Sequence, residues 1–274
     1  MMKKLILLTF AVTMLLSCSN EFNAVYKSGD YMYKYEYAKR CYVQGKYNNA
    51  QTILGDIVTL LKGTEYAEES LYMYGMSLYH NLDYEMAAET FKKYCTSYPK
   101  GKFTELAFLY TAESLFDSSP EPRLDQTPTM SAIKAYQQFL DIYPQSEHAA
   151  MAQERLITLQ DKLVMKELYN ARLYYNLGTY FGNCLTGGSN YEACIITAEN
   201  AIKDYPYMNN REDFAVLIMK SKYYLAHNSV DEKKQERFQN AEDECYGFIN
   251  EYPDSPNRKT AEEFIGVCKK YTGE

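Results

Sequence analysis

Side chains able to do acid–base, metal or nucleophilic chemistry are few in this chain, and their spacing does not suit it. The three histidines, His80, His148 and His227, are scattered. None stands at metal-ligand spacing with a cysteine or carboxylate cluster. No glycine-rich loop opens a helix on Lys-Ser or Lys-Thr, and no nucleophile elbow occurs. Gly187-Gly188-Ser189 is a loop signal, too short to cradle a phosphate. The carboxylate pairs Glu68-Glu69 and Glu262-Glu263 fall on positions that read as solvated helix faces. No catalytic residue, metal set or cofactor is expected, and an enzyme is the least supported class.

One sulfur is set apart by its position. Lys3 and Lys4 precede an apolar run from Leu5 to Leu16. That is the layout of a secretory leader, and its core is too short for a stable transmembrane helix. Leu15-Leu16-Ser17-Cys18 resembles the bacterial lipobox, in which the cysteine becomes the lipidated first residue. On this reading residues 1–17 are a leader, 18–28 a lipidated tether, and 29–274 a single folded domain. Ser19, where the enteric sorting rule places Asp for inner-membrane retention, points to the outer membrane with the fold facing the periplasm. Acyl chains contribute about 0.8 kcal/mol per buried methylene, which makes such an anchor stable.

Without the leader the chain holds 27 basic and 36 acidic residues, a net charge of −9 that argues against a nucleic-acid partner. Cys41, Cys194, Cys245 and Cys268 fall on packing positions and read as small buried apolar groups. Cys95 sits beside an aromatic position. Cys184 lies close enough to Cys194 in sequence to leave one disulfide open in an oxidising compartment.

The elements that would carry any site are helices. Four helical stretches end on the same dipeptide, at Tyr98-Pro99, Tyr143-Pro144, Tyr205-Pro206 and Tyr252-Pro253. The cleanest copy reads Leu71, Tyr74, Gly75, Leu78, Tyr84, Ala87, Phe91, Tyr94, Pro99. This is the tetratricopeptide pattern: small residues where two helices cross, an aromatic between repeats and a stop proline. Ala38, Cys41, Gly45, Tyr47 and Ala50 form an earlier copy, with Ala50 and Ala87 37 positions apart. Later copies contain Ala112, Ala132, Tyr136 and Phe139; Ala171, Gly178, Cys194 and Ala198; and Ser221, Ala241, Cys245 and Phe248. Asp117 to Thr129 reads as an extended loop and Gly182 to Ser189 as an insertion. Lys259 to Tyr271 reads as a cap. The expected fold is all-α, a tetratricopeptide solenoid of about five helix pairs plus a C-terminal capping helix.

With lipobox, repeats and cap in place, the chain resembles the BamD family, the tetratricopeptide lipoprotein of the machinery that assembles outer-membrane β-barrels. The most specific local match is Arg155-Leu156 with Leu159, Asp161-Lys162-Leu163, Tyr174-Tyr175 and Lys203-Asp204-Tyr205-Pro206. Ala226 to Arg237 is similar to relatives from the Bacteroidetes, and the Gly182–Ser189 insertion departs from the pattern. The resemblance implies a division of labour. Residues 29–144 would face unfolded outer-membrane proteins, and 145–274 would dock the POTRA domains of a BamA-like barrel insertase. Tyr35 and Tyr42 in one helix, and Tyr72 and Tyr79 in the next, are each seven apart, so each pair shares a helix face. Their placement leaves two readings open, a client groove or seam packing. Arg211, in the turn after the Tyr205-Pro206 that closes the fourth repeat, is the residue the resemblance places toward the insertase.

Two other binding classes fit less well. Glycan-binding lipoproteins with such helices are longer and rich in Trp, which is absent here, while Tyr occurs 29 times. A periplasmic coordinator of cell-envelope or cell-wall assembly is the alternative, but no sustained heptad run precedes the first repeat.

Overall fold

A computed structural model of the chain describes residues 21–180 and 189–273. Cys18, Cys184 and the insertion up to Gly188 lie outside the described residues. Where described, the chain is helical and has no strand. It divides into two compact units. The first runs to Pro120 and resumes over Gln126–Leu159; the second takes Glu121–Asp125 and continues from Gln160. The boundary between the two units falls inside a helix, after Leu159.

In the first unit, successive helices pack in order as pairs. They are α1 (Tyr31–Val43) with α2 (Tyr47–Ile57), α3 (Ala67–His80) with α4 (Tyr84–Ser97), and α5 (Thr104–Ser118) with α6 (Thr127–Ile142). Residues 21–26, expected in the tether, are already helical, and Val25 is fully buried with Ala38 and Leu54. The folded part thus begins earlier than composition indicated, because one turn of helix suffices to seat a single valine. The loop expected over Asp117–Thr129 is shorter at both ends. Helix α5 runs through Ser118, and α6 opens at Thr127 with Pro128 in its first turn, where a missing N–H costs nothing.

Helix α7 (Ala149–Leu177) has no Gly or Pro along its 29 residues and belongs to both units. In the first unit its Ala152 and Leu159 pack with Ala112, Tyr136 and Phe139. In the second its Val164, Leu168 and Ala171 pack with α8 (Asn190–Asp204) and α9 (Arg211–His227). Helices α10 (Asp231–Glu251) and α11 (Arg258–Thr272) follow, α11 covering α10 with Ala261, Ile265 and Cys268. The array is the all-α tetratricopeptide type that the repeat pattern predicts.

The four Tyr-Pro steps share one geometry. Tyr98, Tyr143, Tyr205 and Tyr252 have φ from −125 to −130° and ψ from 58 to 66°. The ring of the following proline pushes each tyrosine out of the helical region. Each tyrosine N–H still closes the last helical turn at 2.8–2.9 Å, and each carbonyl accepts from the residue three places on at 3.0–3.2 Å. The next helix opens six residues after each tyrosine, at Thr104, Ala149, Arg211 and Arg258.

Inside a pair, the crossing is set by absent bulk. A Cβ on Gly75 would stand 2.7 Å from the Phe91 ring, which is itself fully buried. By contrast, a Cβ on Gly266 of α11 would meet nothing within 4 Å. The same substitution is therefore expected to have opposite signs at the two sites. Gly75→Ala should destabilise by about 1–3 kcal/mol through overpacking, and Gly266→Ala should stabilise by about 0.5–1 kcal/mol through helix propensity. Urea denaturation of both variants checks the helix register; an unchanged midpoint for Gly75→Ala would contradict it.

Candidate functional site

The four tyrosines of the first two A helices divide by position along the helix. Tyr35 and Tyr72, near the helix starts, are 1% and 8% exposed. Each is covered by the aromatic residue that caps the following A helix. Tyr66 lies 4.9 Å from the Tyr35 ring, and Phe103 stacks on Tyr72 at 4.3 Å. The Tyr35 hydroxyl also donates to Glu69 at 2.6 Å, where Lys39 donates at 3.0 Å. Burial, and then the Glu69 carboxylate, raises the Tyr35 phenol well above its usual range; burial does the same for Tyr72. These two rings are seam packing. The covering signal was in the sequence, an aromatic 31 positions on in both repeats, Tyr66 and Phe103.

Tyr42 and Tyr79, at the far ends of the same helices, stay half-buried. They belong to a run of touching rings that crosses three repeats. Tyr42 meets Tyr47 edge-on at 5.9 Å, and Tyr47 stacks on His80 at 4.1 Å. His80 touches Tyr79 at 5.9 Å, and Tyr79 meets Tyr84 at 5.5 Å and Tyr110 at 5.2 Å. The Tyr79 hydroxyl donates to Asp117 at 2.7 Å, which fixes its ring between α3 and α5. Burial, then Asp117, raises the Tyr79 phenol, and packing against the rings lowers the His80 pKa.

Exposed aliphatic groups lie at the same helix ends. Val43 is 78% exposed at the end of α1, and Leu82 is 70% exposed in the turn between α3 and α4. Leu82 has φ +64°, and the matching turn of the first repeat has Gly45 at φ +71°. A leucine at a left-handed position is strained by roughly 1–2 kcal/mol relative to glycine, and here it gains little burial in return.

Arg155, in the segment that carried the most specific local match, sits in the first unit above a nearly buried carboxylate. Its guanidinium lies 4.2 Å from the Phe116 ring and 3.6 Å from Glu113 Oε2, and the Tyr136 hydroxyl donates to Glu113. A lone acid beside Ala112 on a packing face was the available sign of this cluster. Pairing of this kind specifies how helices seat rather than adding much stability.

Arg211 is the first residue of α9, one step past the turn in which the sequence placed it. Its Nε donates to Glu251 Oε1 at 3.0 Å, and the Tyr252 hydroxyl donates to the same oxygen. A cation at a helix start and an anion at a helix end are each unfavourable against the helix dipole; here each offsets the other. Cys194 is a free and fully buried thiol, as are Cys245 and Cys268, whose pKa values burial pushes up to about 12 and about 11. No cluster of metal ligands occurs among the described residues, and no described helix is long and apolar enough to cross a membrane.

Among the described residues the chain is, as a class, a helical-repeat protein of the tetratricopeptide type with an aromatic edge on its first unit. Residues 28–183 match the family described as YfiO: Outer membrane lipoprotein, and the chain belongs to that family. It is also similar to the outer membrane protein assembly factor BamD of Caulobacter vibrioides, 24% identical over 135 residues. That alignment covers 49% of this chain and 44% of the relative, so it spans less than half of either.

The split between seam and rail has a direct check. Tyr72→Ala should cost about 3–5 kcal/mol, the range for deleting a buried ring, and Tyr42→Ala a much smaller amount. Thermal denaturation followed by circular dichroism distinguishes them, and equal losses would contradict the division.

Proposed function

We propose that this chain is an outer-membrane lipoprotein scaffold of the β-barrel assembly machinery. It is acylated at Cys18, faces the periplasm, presents unfolded outer-membrane proteins on its first unit, and docks the POTRA domains of a BamA-like insertase through its second. The observation that carries the client role is the rail from Tyr42 through Tyr47, His80 and Tyr79 to Tyr110, with Val43 and Leu82 exposed at the same helix ends. Successive rings stand 4.1–5.9 Å apart, closer than the roughly 6.6–6.8 Å between same-face side chains of an extended strand, so such a strand would lie on a continuous aromatic surface. Half-buried tyrosines suit such a chain, because they are already ordered by packing and keep one edge for a ligand. Arg211 is the proposed insertase-facing residue of the second unit, held extended by Glu251. Family membership and the lipobox support the membrane anchor.

Two outcomes follow. In a titration with a peptide from an aromatic-rich barrel strand, Tyr42→Ala with Tyr79→Ala should weaken binding several-fold, on the scale of about 0.5–1.5 kcal/mol per aromatic pair. The melting temperature should fall far less than for Tyr72→Ala; unchanged affinity would place the client elsewhere. Separately, Cys18→Ser should remove the protein from the outer-membrane fraction, and a mature Cys18→Ser protein still firmly held there would contradict acylation as the anchor.

A further inference from the structure

The first unit also carries two small grooves that lie on either side of α4, apart from the aromatic rail. One, of about 420 Å³, has an apolar floor of Phe108, Leu115 and Ala135, with Lys92 on the α4 bank and Lys134 on the α6 bank. The other, of about 220 Å³, has a floor of Val58, Ala67 and Leu71, with Lys93 on its α4 bank and Lys62 on the opposite one. The two share a plan: an apolar floor, a lysine on each bank and no acidic side chain in the lining.

That composition is not general to such grooves. The corresponding groove of the second unit, over α9 and beside α10, is lined by Glu236, Asp243, Glu244 and Glu251 as well as by Lys222, Lys233 and Arg237. There Lys222 is already neutralised by Glu199 and Glu244, and Arg237 by Glu192. In the first unit Lys92 pairs with Glu89 of its own helix at 2.9 Å. Lys62, Lys93 and Lys134 are exposed and have no carboxylate within ion-pair distance among the described residues. In a chain of strongly negative net charge, cations left unpaired around apolar floors are a local reversal of sign.

We infer that the paired grooves flanking α4 form a docking site for an acidic polypeptide segment, with apolar side chains seated on the floors and carboxylates on Lys62, Lys93 and Lys134. Charge complementarity selects an anionic partner. The division into two pockets selects a polypeptide over an acyl chain. Packed helices stand about 8–10 Å apart, a span that an extended strand crossing α4 bridges with same-face side chains two to four residues apart, about 6.6–13 Å. A single hydrocarbon tail needs a continuous trough, and α4 interrupts it. The site uses none of the rail residues, so it stands or falls independently of the client reading.

The test uses the purified full mature chain and a short fluorescein-labelled peptide alternating Leu and Glu, with its Leu-Lys counterpart as the reversed probe. The Leu-Glu peptide should bind, lose affinity as salt rises, and outcompete the Leu-Lys peptide. Lys93→Glu with Lys134→Glu should weaken it about tenfold, the scale of two lost exposed ion pairs together with charge reversal. Lys93→Gln with Lys134→Gln should give a smaller loss at an unchanged circular dichroism melt, which keeps folding out of the comparison. Equal binding of the two peptides, or unchanged affinity in both double variants, would overturn the proposal. So would lysine-dependent binding to phosphatidylglycerol vesicles without peptide binding, which would assign the lysines to a lipid headgroup.

Discussion

The array depends on the steric clash between a proline ring and the residue before it. That clash ends four helices at a tyrosine with nearly the same backbone angles, while the tyrosine N–H still completes the last turn. The following turn then launches the next helix after a fixed number of residues. Because every step is alike, small residues such as Gly75 and Ala112 recur where helices cross, and rings such as Phe91 and Phe139 recur where they fill the gap. A helix that ran one turn further would carry those positions out of phase.

The aromatic residue at the entry to the following A helix decides which tyrosines pack and which remain accessible, after a Tyr-Pro step at Phe103 and after a proline-free turn at Tyr66. The segment leaving each turn lays a ring, Tyr66 or Phe103, over the start of the preceding A helix, so Tyr35 and Tyr72 are sealed. No such ring covers the other ends of those helices, where Tyr42 and Tyr79 join the rail. Helical periodicity places Tyr35 with Tyr42 on one face, yet what covers a face varies along its length. The client surface proposed here is therefore a product of loop placement as much as of helix pattern.

Much of the fold was legible in the sequence, because its rules are local. Proline, glycine and the alternation of small and large residues mark helix ends and crossings without reference to distant parts of the chain. Where such marks are missing, the sequence is silent: nothing between Ala149 and Leu177 signals that one helix serves both units. Residues 21–26 read as tether because a single buried valine leaves no periodic trace. The candidate site was half legible. Tyr42 and Tyr79 were among the residues singled out, whereas Tyr47, His80 and the strained Leu82 belong to it through contacts between repeats. Glu113 and Arg155 likewise meet only after α5 and α7 are packed.

The proposed role is that of a scaffold between unfolded barrel proteins and the insertase. It is tested most directly by affinity purification of the tagged protein from detergent-solubilised outer membranes, with mass spectrometry of what accompanies it. A POTRA-bearing barrel insertase should be among the partners of the wild-type protein and should be lost from a folded Arg211→Glu variant. A wild-type protein that is recovered intact from the membrane without the insertase would contradict it.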